Sequence, residues 1–338
     1  TTNYYPDVDA DGFGSMESNT RTRESIDPNN TIINWINQSL KIASDGTPYV
    51  AYQDQDASNS ITVVKKVGSN WVTVWHPYNN GGINWLKLAL DSNDMPYVAF
   101  NDANNWSKLT VMKWNGDERV YVWSAWISND IVTEISFAID SSDQLYVAYL
   151  DQYDNSVYVQ KFDGSSWTYV WSNWWYFGKH TSISLRIDTN DLPYLAYSDG
   201  DQWQRVTVQA YDGADWNVVW WSAWVSAWLV EYVSLALDST NKPYVAYRDS
   251  DQSYKATVLV YSWGNWSPLW SAGFTLDYAQ YLSLELDATN IPYLAFSDSY
   301  DGMQATVMKF QAWSWSVVGQ TGFSTDEAQF VSLAIDSS

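Results

Sequence analysis

The stretch Pro48-Tyr49-Val50-Ala51-Tyr52 decides the fold, because close copies of it recur through the chain. The other copies are Pro96–Phe100, Leu145–Tyr149, Pro193–Tyr197, Pro243–Tyr247 and Pro292–Phe296. Their first Tyr residues are 48 to 50 residues apart, and a fixed period in this range is the sign of a repeat architecture. The six copies therefore predict one closed repeat domain in this chain of 338 residues.

Each repeat divides into four short strands. The first is an apolar alternation such as Ser39–Ile42, the second is the Pro-Tyr-Val-Ala-Tyr motif, and the third is rich in Val and Thr. Pairs such as Asn115-Gly116 then make hairpin turns into a fourth strand, because these residues accept positive φ. Repeats of four short antiparallel strands are typical of the blades of an all-β propeller. We expect residues 31–338 to form this propeller and residues 1–30 to form an N-terminal extension.

The last repeat leaves two blade numbers open. Ser332–Asp336 restarts a seventh copy of the first strand, after six complete repeats of about 49 residues. We expect a six-bladed ring in which this extra strand reinforces the closure. The alternative is a seven-bladed ring with an incomplete last blade. A strand with no place in its own ring is a candidate for pairing with a neighbouring subunit, which would build a homo-oligomer or filament through residues 332–336.

Charge and composition exclude several kinds of partner. Lys and Arg total 17 against 39 Asp and Glu, a net charge of −22, which repels nucleic-acid phosphates and anionic lipid. No run approaches the roughly 18 apolar residues that span a bilayer, so we expect no membrane insertion. The chain has no Cys, which excludes disulfides and fits an exported bacterial protein with a large core. We therefore expect an extracellular or cell-surface location.

The first 30 residues carry an acidic loop. Asp7, Asp9 and Asp11 alternate, a glycine follows, and the Phe13 carbonyl adds a further oxygen, which is the arrangement that Ca²⁺ requires. The loop resembles the calcium loops of EF-hand, dockerin and thrombospondin type 3 repeats, although Ser18 stands where the EF-hand has its bidentate Glu. This resemblance implies a bound calcium ion. The alternative is a solvated acidic linker.

Aromatic residues are abundant, with 23 Trp and 25 Tyr, so we expect some rings at a surface. The fourth strand carries Trp pairs such as Trp71 and Trp75. Since residues i and i+4 of a strand share a face, each pair is predicted to form a ladder on one side of the sheet.

The connection that leaves the fourth strand repeats the pattern Trp-Ser-x-Trp or looser versions of it. A ring with polar groups beside it can hold the apolar face of a sugar. The alternative is the ordinary packing of rings between neighbouring blades. The candidate ligand-binding residues are Trp75, Trp123, Trp126, Trp171, Trp174, Trp175, Trp221, Trp224, Trp228 and Trp270.

An Asp follows the Pro-Tyr-Val-Ala-Tyr motif in every copy. These residues could form a ring of cation or sugar-hydroxyl sites, or each could cap its own hairpin through an Asx-turn, which is the interpretation we prefer. They are Asp54, Asp102, Asp151, Asp199, Asp249 and Asp298.

The repeat region resembles bacterial secreted β-propellers with NHL-like blades and, in its period and Trp content, the propeller lectins that bind fucose between blades. This resemblance implies a lectin-like or adhesin-like module whose partner is a carbohydrate or a surface protein. His76 and His180 lack metal-site spacing, and the sequence contains no nucleophile elbow or phosphate loop. We therefore expect a multivalent recognition module that is not an enzyme. The alternatives are a structural subunit of a surface layer or extracellular fibre, and a carboxylate-dependent glycoside hydrolase.

Overall fold

The computed structural model describes most of the repeat region and three segments before it. The described residues are 3–6, 13–17, 20–24, 35–54, 59–79, 82–83, 85–124, 126–170, 182–219, 226, 228–324 and 326–336, with the backbone alone up to residue 36 and at 76–79. In this part of the chain, no helix is both long enough and apolar enough to cross a membrane.

The described strands form seven four-stranded antiparallel sheets. The first fourteen are β1 (Asn3–Pro6), β2 (Phe13–Glu17), β3 (Thr20–Glu24), β4 (Trp35–Ile42), β5 (Pro48–Asp54), β6 (Ser60–Val67), β7 (Asn70–Asn79), β8 (Leu86–Leu90), β9 (Pro96–Asp102), β10 (Lys108–Trp114), β11 (Arg119–Tyr121), β12 (Val132–Ile139), β13 (Leu145–Asp151) and β14 (Val157–Phe162). The others are β15 (Trp167–Tyr169), β16 (Ile183–Ile187), β17 (Pro193–Asp199), β18 (Arg205–Tyr211), β19 (Trp216–Val218), β20 (Val230–Leu237), β21 (Pro243–Asp249), β22 (Lys255–Ser262), β23 (Asn265–Pro268), β24 (Ala279–Leu286), β25 (Pro292–Asp298), β26 (Gln304–Gln311), β27 (Ser314–Val317) and β28 (Ala334–Ile335).

Six of these sheets are blades that each come from one repeat. They run in chain order from β4-β5-β6-β7 to β24-β25-β26-β27, with the first strand of each repeat innermost. Four 3-10 turns follow second strands, at Ala103–Asn105, Gly200–Gln202, Ser250–Gln252 and Ser299–Asp301. The predicted all-β propeller, with six complete four-stranded repeats and one extra strand, is confirmed, and the extra strand belongs to a seventh four-stranded sheet.

The extra strand β28 pairs with β1 of the same chain, with Tyr4 opposite Ala334 and Asn3 opposite Ile335. The resulting sheet has the order β28-β1-β2-β3. It therefore includes strands from residues 3–24, which the sequence placed in an extension. Because β28 contacts both β24 and β4, this sheet lies between the sixth and the first repeat. The strand considered for pairing with a neighbouring subunit is thus paired within its own chain.

A serine hydroxyl joins neighbouring inner strands around the ring. Ser39 Oγ accepts a hydrogen bond from the backbone N–H of Leu88, in the next blade, at 3.0 Å. The inner edge of a blade leaves backbone groups without a ladder partner, and the hydroxyl satisfies one of them. The same bond runs from Leu185 to Ser136, Leu235 to Ser184, Leu284 to Ser234, Leu333 to Ser283 and Leu40 to Ser332.

The Pro-Tyr-Val-Ala-Tyr strand is the scaffold of each blade, because both of its faces are buried. In the first copy Val50 and Ala51 are fully buried on opposite faces. Val50 packs in a cluster with Ala334 of the seventh sheet, and Ala51 packs with Val98 of the second blade. The strand therefore contacts both neighbouring sheets at once.

The predicted Trp ladder is wrong for Trp71 and Trp75. The pairing of β7 with β6 skips Val74, since Val64 lies opposite Thr73 and Val63 opposite Trp75. Such a bulge shifts the alternation of side chains by one residue. Trp71 accordingly packs towards the seventh sheet and Trp75 towards the second blade.

The aspartates after the second strand act locally, as the capping interpretation predicts. Asp102 accepts a hydrogen bond from the backbone N–H of Asn104 at 3.0 Å, at the start of a 3-10 turn. Asp151, Asp199, Asp249 and Asp298 make the same bond two residues ahead, at 2.9 to 3.1 Å. These five carboxylates are therefore turn-forming groups.

Candidate functional site

The structure separates the candidate tryptophans into core and surface residues. Trp75 is 0% exposed and packs among Ile61 and Val63, so its proposed role in ligand binding is wrong, because no ligand can reach a ring inside the core. Trp123, Trp126, Trp228 and Trp270 are exposed. The other candidates, Trp171, Trp174, Trp175, Trp221 and Trp224, lie outside the described residues.

The predicted calcium ligands are also largely outside the described part of the chain. Asp7, Asp9 and Asp11 are not among the described residues, whereas Phe13 begins β2 and pairs with Pro6 and Glu24. Within the residues that are described, no three His, Asp or Glu side chains come together in a metal-binding group. Calcium binding by this loop stays a prediction.

One recurring tryptophan of the fourth strand holds adjacent blades together. The indole Nε1 of Trp216 donates to the carbonyl of Val170, in the preceding blade, at 2.9 Å. Trp167 and Trp266 make the equivalent bond to Val122 and Val219, at 3.2 and 3.0 Å. These three tryptophans, which were not among the candidate ligand-binding residues, thus link neighbouring blades.

A different pair of rings forms the best candidate site. Trp203 and Trp228 are 71% and 54% exposed, and their ring centroids lie 5.6 Å apart with planes tilted by 40°. The guanidinium of Arg205 lies over the Trp228 ring, 5.4 Å from its centroid, which is within the range of a cation–π contact. The two rings and this cation make one polar and aromatic surface patch, here called the Trp203–Trp228 shelf.

The backbone fixes the shelf in place. Trp203 ends the 3-10 turn that follows β17 and has a left-handed backbone with φ 62°, which turns its side chain away from the strand direction. The Trp203 carbonyl accepts the N–H of Leu229 at 3.3 Å, and the carbonyl of Gln204 accepts the N–H of Val230 at 2.8 Å. These bonds join the loop of the fourth repeat to the strand that opens the fifth.

The Trp228 side of the shelf is held by the next turn. The Ser250 hydroxyl, in the 3-10 turn after β21, donates to the carbonyl of Trp228 at 2.6 Å. Hydrogen bonds therefore fix the backbone of both tryptophans. Because this backbone is already ordered, less conformational entropy is lost when a ligand binds.

Among the equivalent junctions between repeats that the structure describes, only the one between the fourth and the fifth repeat has both rings. Trp106 of the second repeat matches Trp203, with φ 60° and 82% exposure. The position of Trp228, however, is occupied by Asp130, Asp277 or Asp326 in other repeats, as the matching backbone bonds of the following strands show. The second repeat therefore offers one ring with Lys108 in the place of Arg205.

Sequence reasoning selected Trp228 and missed Trp203 and Arg205. A signal for Trp203 was present, because it follows the capping Asp199 by four residues, as Trp106 follows Asp102. The shelf is an exposed arrangement of two aromatic faces beside a cation. Such a surface can stack against the C–H face of a sugar ring and donate hydrogen bonds to its hydroxyl groups.

The sequence matches no known protein family and no curated protein. Solved structures share the fold. A lectin of Aleuria aurantia in complex with Fucα1-6GlcNAc is 15% identical with a TM-score of 0.56, over 86% of this chain and 97% of that chain. AofleA from Arthrobotrys oligospora is 12% identical with a TM-score of 0.56, over 84% and 86% of the two chains. The SapL1 lectin in complex with α-methyl fucoside is 13% identical with a TM-score of 0.54, over 84% and 95%. The resemblance to propeller lectins is thus confirmed for the fold alone.

Proposed function

We propose that this protein is an extracellular, lectin-like binding module that is not an enzyme and that holds a sugar on the Trp203–Trp228 shelf. The observation that carries the proposal is the pair of exposed, backbone-anchored indole rings, 5.6 Å apart, with the Arg205 guanidinium beside them. Large exposed rings mounted on a rigid scaffold are more costly to leave in water than polar side chains. Their most direct use is recognition.

The chemistry of the shelf suits a neutral sugar. The indole faces take the C–H face of a pyranose ring, and Arg205 donates hydrogen bonds to hydroxyl oxygens. Two faces tilted by 40° make a shallow wedge that contacts one sugar ring on two sides. The likeness to the Aleuria aurantia lectin and the SapL1 lectin supports the same conclusion at the level of architecture.

The proposal predicts low valency. The second repeat supplies Trp106 and Lys108 but has Asp130 where Trp228 would complete the shelf. We therefore expect one strong site and one weaker site among the described junctions, and a modest gain from avidity on a surface that carries many glycans. Assembly through residues 332–336 is not part of this proposal, because β28 is already paired with β1.

A glycan array followed by calorimetry tests the function. We expect the native protein to bind at least one class of neutral glycan and Trp203→Ala to weaken binding by about tenfold or more, since losing a stacked aromatic contact costs about 1 to 3 kcal/mol. Trp313→Ala is the matched control, because Trp313 is 85% exposed but lies at the tip between β26 and β27. An array without any bound glycan, or equal losses in the two variants, would remove the proposal.

A further inference from the structure

The central channel of the propeller has a mouth lined by residues at or just before the start of the inner strands. Five of them have a left-handed backbone with φ between 51° and 58°, and at four the pairing with the second strand shifts register. At these four positions the bulge turns the side chain towards the ring axis. Together they line a cavity of about 170 Å³, and the five are Asn37, Glu134, Tyr232, Tyr281 and Phe330.

Three cations lie along this channel. Lys87 lines the cavity, in the place where other repeats carry the inner-strand serine. Its side chain is open to the channel but surrounded by protein, so desolvation lowers its pKa, and the positive charges of Arg186 and Lys41 lower it further. Burial likewise lowers the pKa of Lys41. These cations repel one another inside the ring, in a protein whose net charge is −22.

The carboxylates of the channel offset only part of this positive charge. Glu285 forms an ion pair with Arg186 at 2.7 Å. Burial raises the pKa of Glu134 to about 8, although the charge of Lys87 opposes the rise. Even with both carboxylates ionised, two negative charges face three positive ones, and the raised pKa of Glu134 reduces the negative charge further. The channel is short of negative charge.

The cavity also holds amide groups that lack partners. Neither amide atom of Gln38 has a hydrogen-bond partner, and the side-chain oxygen of Asn37 also lacks one among the described residues. Gln38 is 4% exposed and lines the cavity. Buried polar atoms in folded proteins are nearly always hydrogen-bonded, so these atoms indicate a bound polar molecule.

The opposite wall of the cavity is aromatic. The rings of Tyr232 and Tyr281 lie 5.0 Å apart, and Phe330 lies 5.3 Å from Tyr281. A water molecule takes about 30 Å³ of liquid volume, so the cavity has room for one small ring with several polar substituents.

We propose that the channel mouth binds a small hydroxylated carboxylate of about one sugar ring in size, with Lys87 holding its carboxylate and Gln38 and Asn37 its hydroxyl groups. Tyr232 and Tyr281 pack against its apolar face. The ligand supplies the missing negative charge and the missing amide partners at once. This site is separate from the Trp203–Trp228 shelf and does not depend on it.

Binding at this site depends on pH. Above about pH 8, Glu134 ionises beside Lys87 and competes with the ligand for that cation. Tyr232 also faces Glu134, and its pKa is raised to about 12 by burial and its neighbours, so it stays neutral in this range. The other charged groups along the channel are Lys41, Arg186 and Glu285.

Calorimetry with glucuronate as the probe tests the proposal, with glucose and acetate as its neutral and ringless counterparts. At about pH 6.5 we expect glucuronate to bind at least about tenfold more tightly than either counterpart. Lys87→Met should weaken this binding by about tenfold or more, whereas Lys113→Met, in the third strand of the same blade, should not. The proposal would be overturned if glucose or acetate bound as tightly as glucuronate. It would also be overturned if Lys87→Met did not change the binding of glucuronate.

Two further variants test the role of Glu134 and the location of the bound glucuronate. Glu134→Gln should keep glucuronate binding at about pH 9, where the native protein loses it. Native binding that does not change between these pH values would contradict the role of Glu134. Trp203→Ala should leave glucuronate binding intact, and a loss in that variant would place the ligand on the shelf and not in the channel.

Discussion

Ser332 Oγ accepts a hydrogen bond from the backbone N–H of Leu40 at 3.2 Å, which joins the last inner strand to the first. Ser283 makes the same contact with Leu333 at 3.0 Å. The junction that closes the ring therefore uses the same bond as the junctions between consecutive repeats. It follows that β28, although only two residues long, is a member of the ring on the same terms as the longer inner strands.

Removing the closing hydroxyl should destabilise the protein. Ser332→Ala leaves the N–H of the buried Leu40 without its acceptor, and an unsatisfied buried donor costs about 1 to 3 kcal/mol. We expect a loss of this size in the free energy of unfolding, measured with urea. Ser314→Ala, which removes an exposed hydroxyl from β27, is the control. Equal unfolding free energies for the two variants would mean that the contact does not contribute to closure.

The contribution of Glu134 to the stability of the protein should fall as the pH rises through the range in which its carboxyl group holds an extra proton in the folded state. Its pKa is about 8 in the folded protein and about 4.3 in an unfolded chain. The folded state therefore binds more protons between these values, so the contribution of Glu134 is present below about pH 4.3 and is lost by about pH 8.

Glu134→Gln isolates this effect from that of the other titrating groups. We subtract the unfolding free energy of the native protein from that of the variant. This difference should increase by on the order of 3 kcal/mol from about pH 5 to about pH 8. Denaturant unfolding of both proteins at several pH values measures the difference. A difference that stays constant with pH would show that Glu134 titrates normally.

The two classes of tryptophan should differ sharply in their effect on stability. Trp75 is fully buried between two blades, so Trp75→Ala should cost about 3 to 5 kcal/mol. Trp123 is exposed, and Trp123→Ala should change the unfolding free energy by no more than about 0.5 kcal/mol. Thermal and urea unfolding check both values. Similar losses at the two positions would contradict the assignment of Trp75 to the core.

Calcium should stabilise the N-terminal sheet. We propose that Asp7, Asp9, Asp11 and the Phe13 carbonyl bind one Ca²⁺, in the segment that connects β1 to β2. Saturation at about 100 times the dissociation constant would add about 2.7 kcal/mol, which appears as a rise in melting temperature that Asp9→Asn abolishes. An unchanged melting temperature, together with no calcium by elemental analysis, would leave the segment as an acidic linker.

The fold could be predicted from the sequence because each repeat carries its own strand pattern. The spacing of Tyr49 and its five counterparts fixes the blades, and Asp102 and its counterparts fix the turns that follow them. The ladder of Trp71 and Trp75 could not be predicted, because the register shift at Val74 leaves no mark in the alternation of residue types.

The two sites could be predicted only in part. The Trp203–Trp228 shelf combines a loop of one repeat with the start of the next strand, and only Trp228 departs visibly from its repeat. The channel mouth is harder to find, because residues such as Gln38 and Glu134 look ordinary within their own repeats. They meet only because the ring closes, which is a long-range property that no local pattern encodes.

The most direct test of the central claim is a crystal structure of the protein with its tightest-binding neutral sugar. We predict that the sugar ring lies against Trp203 and Trp228, with a hydroxyl group within hydrogen-bond distance of the Arg205 guanidinium. A sugar bound only elsewhere, with these two rings left uncovered, would contradict the account.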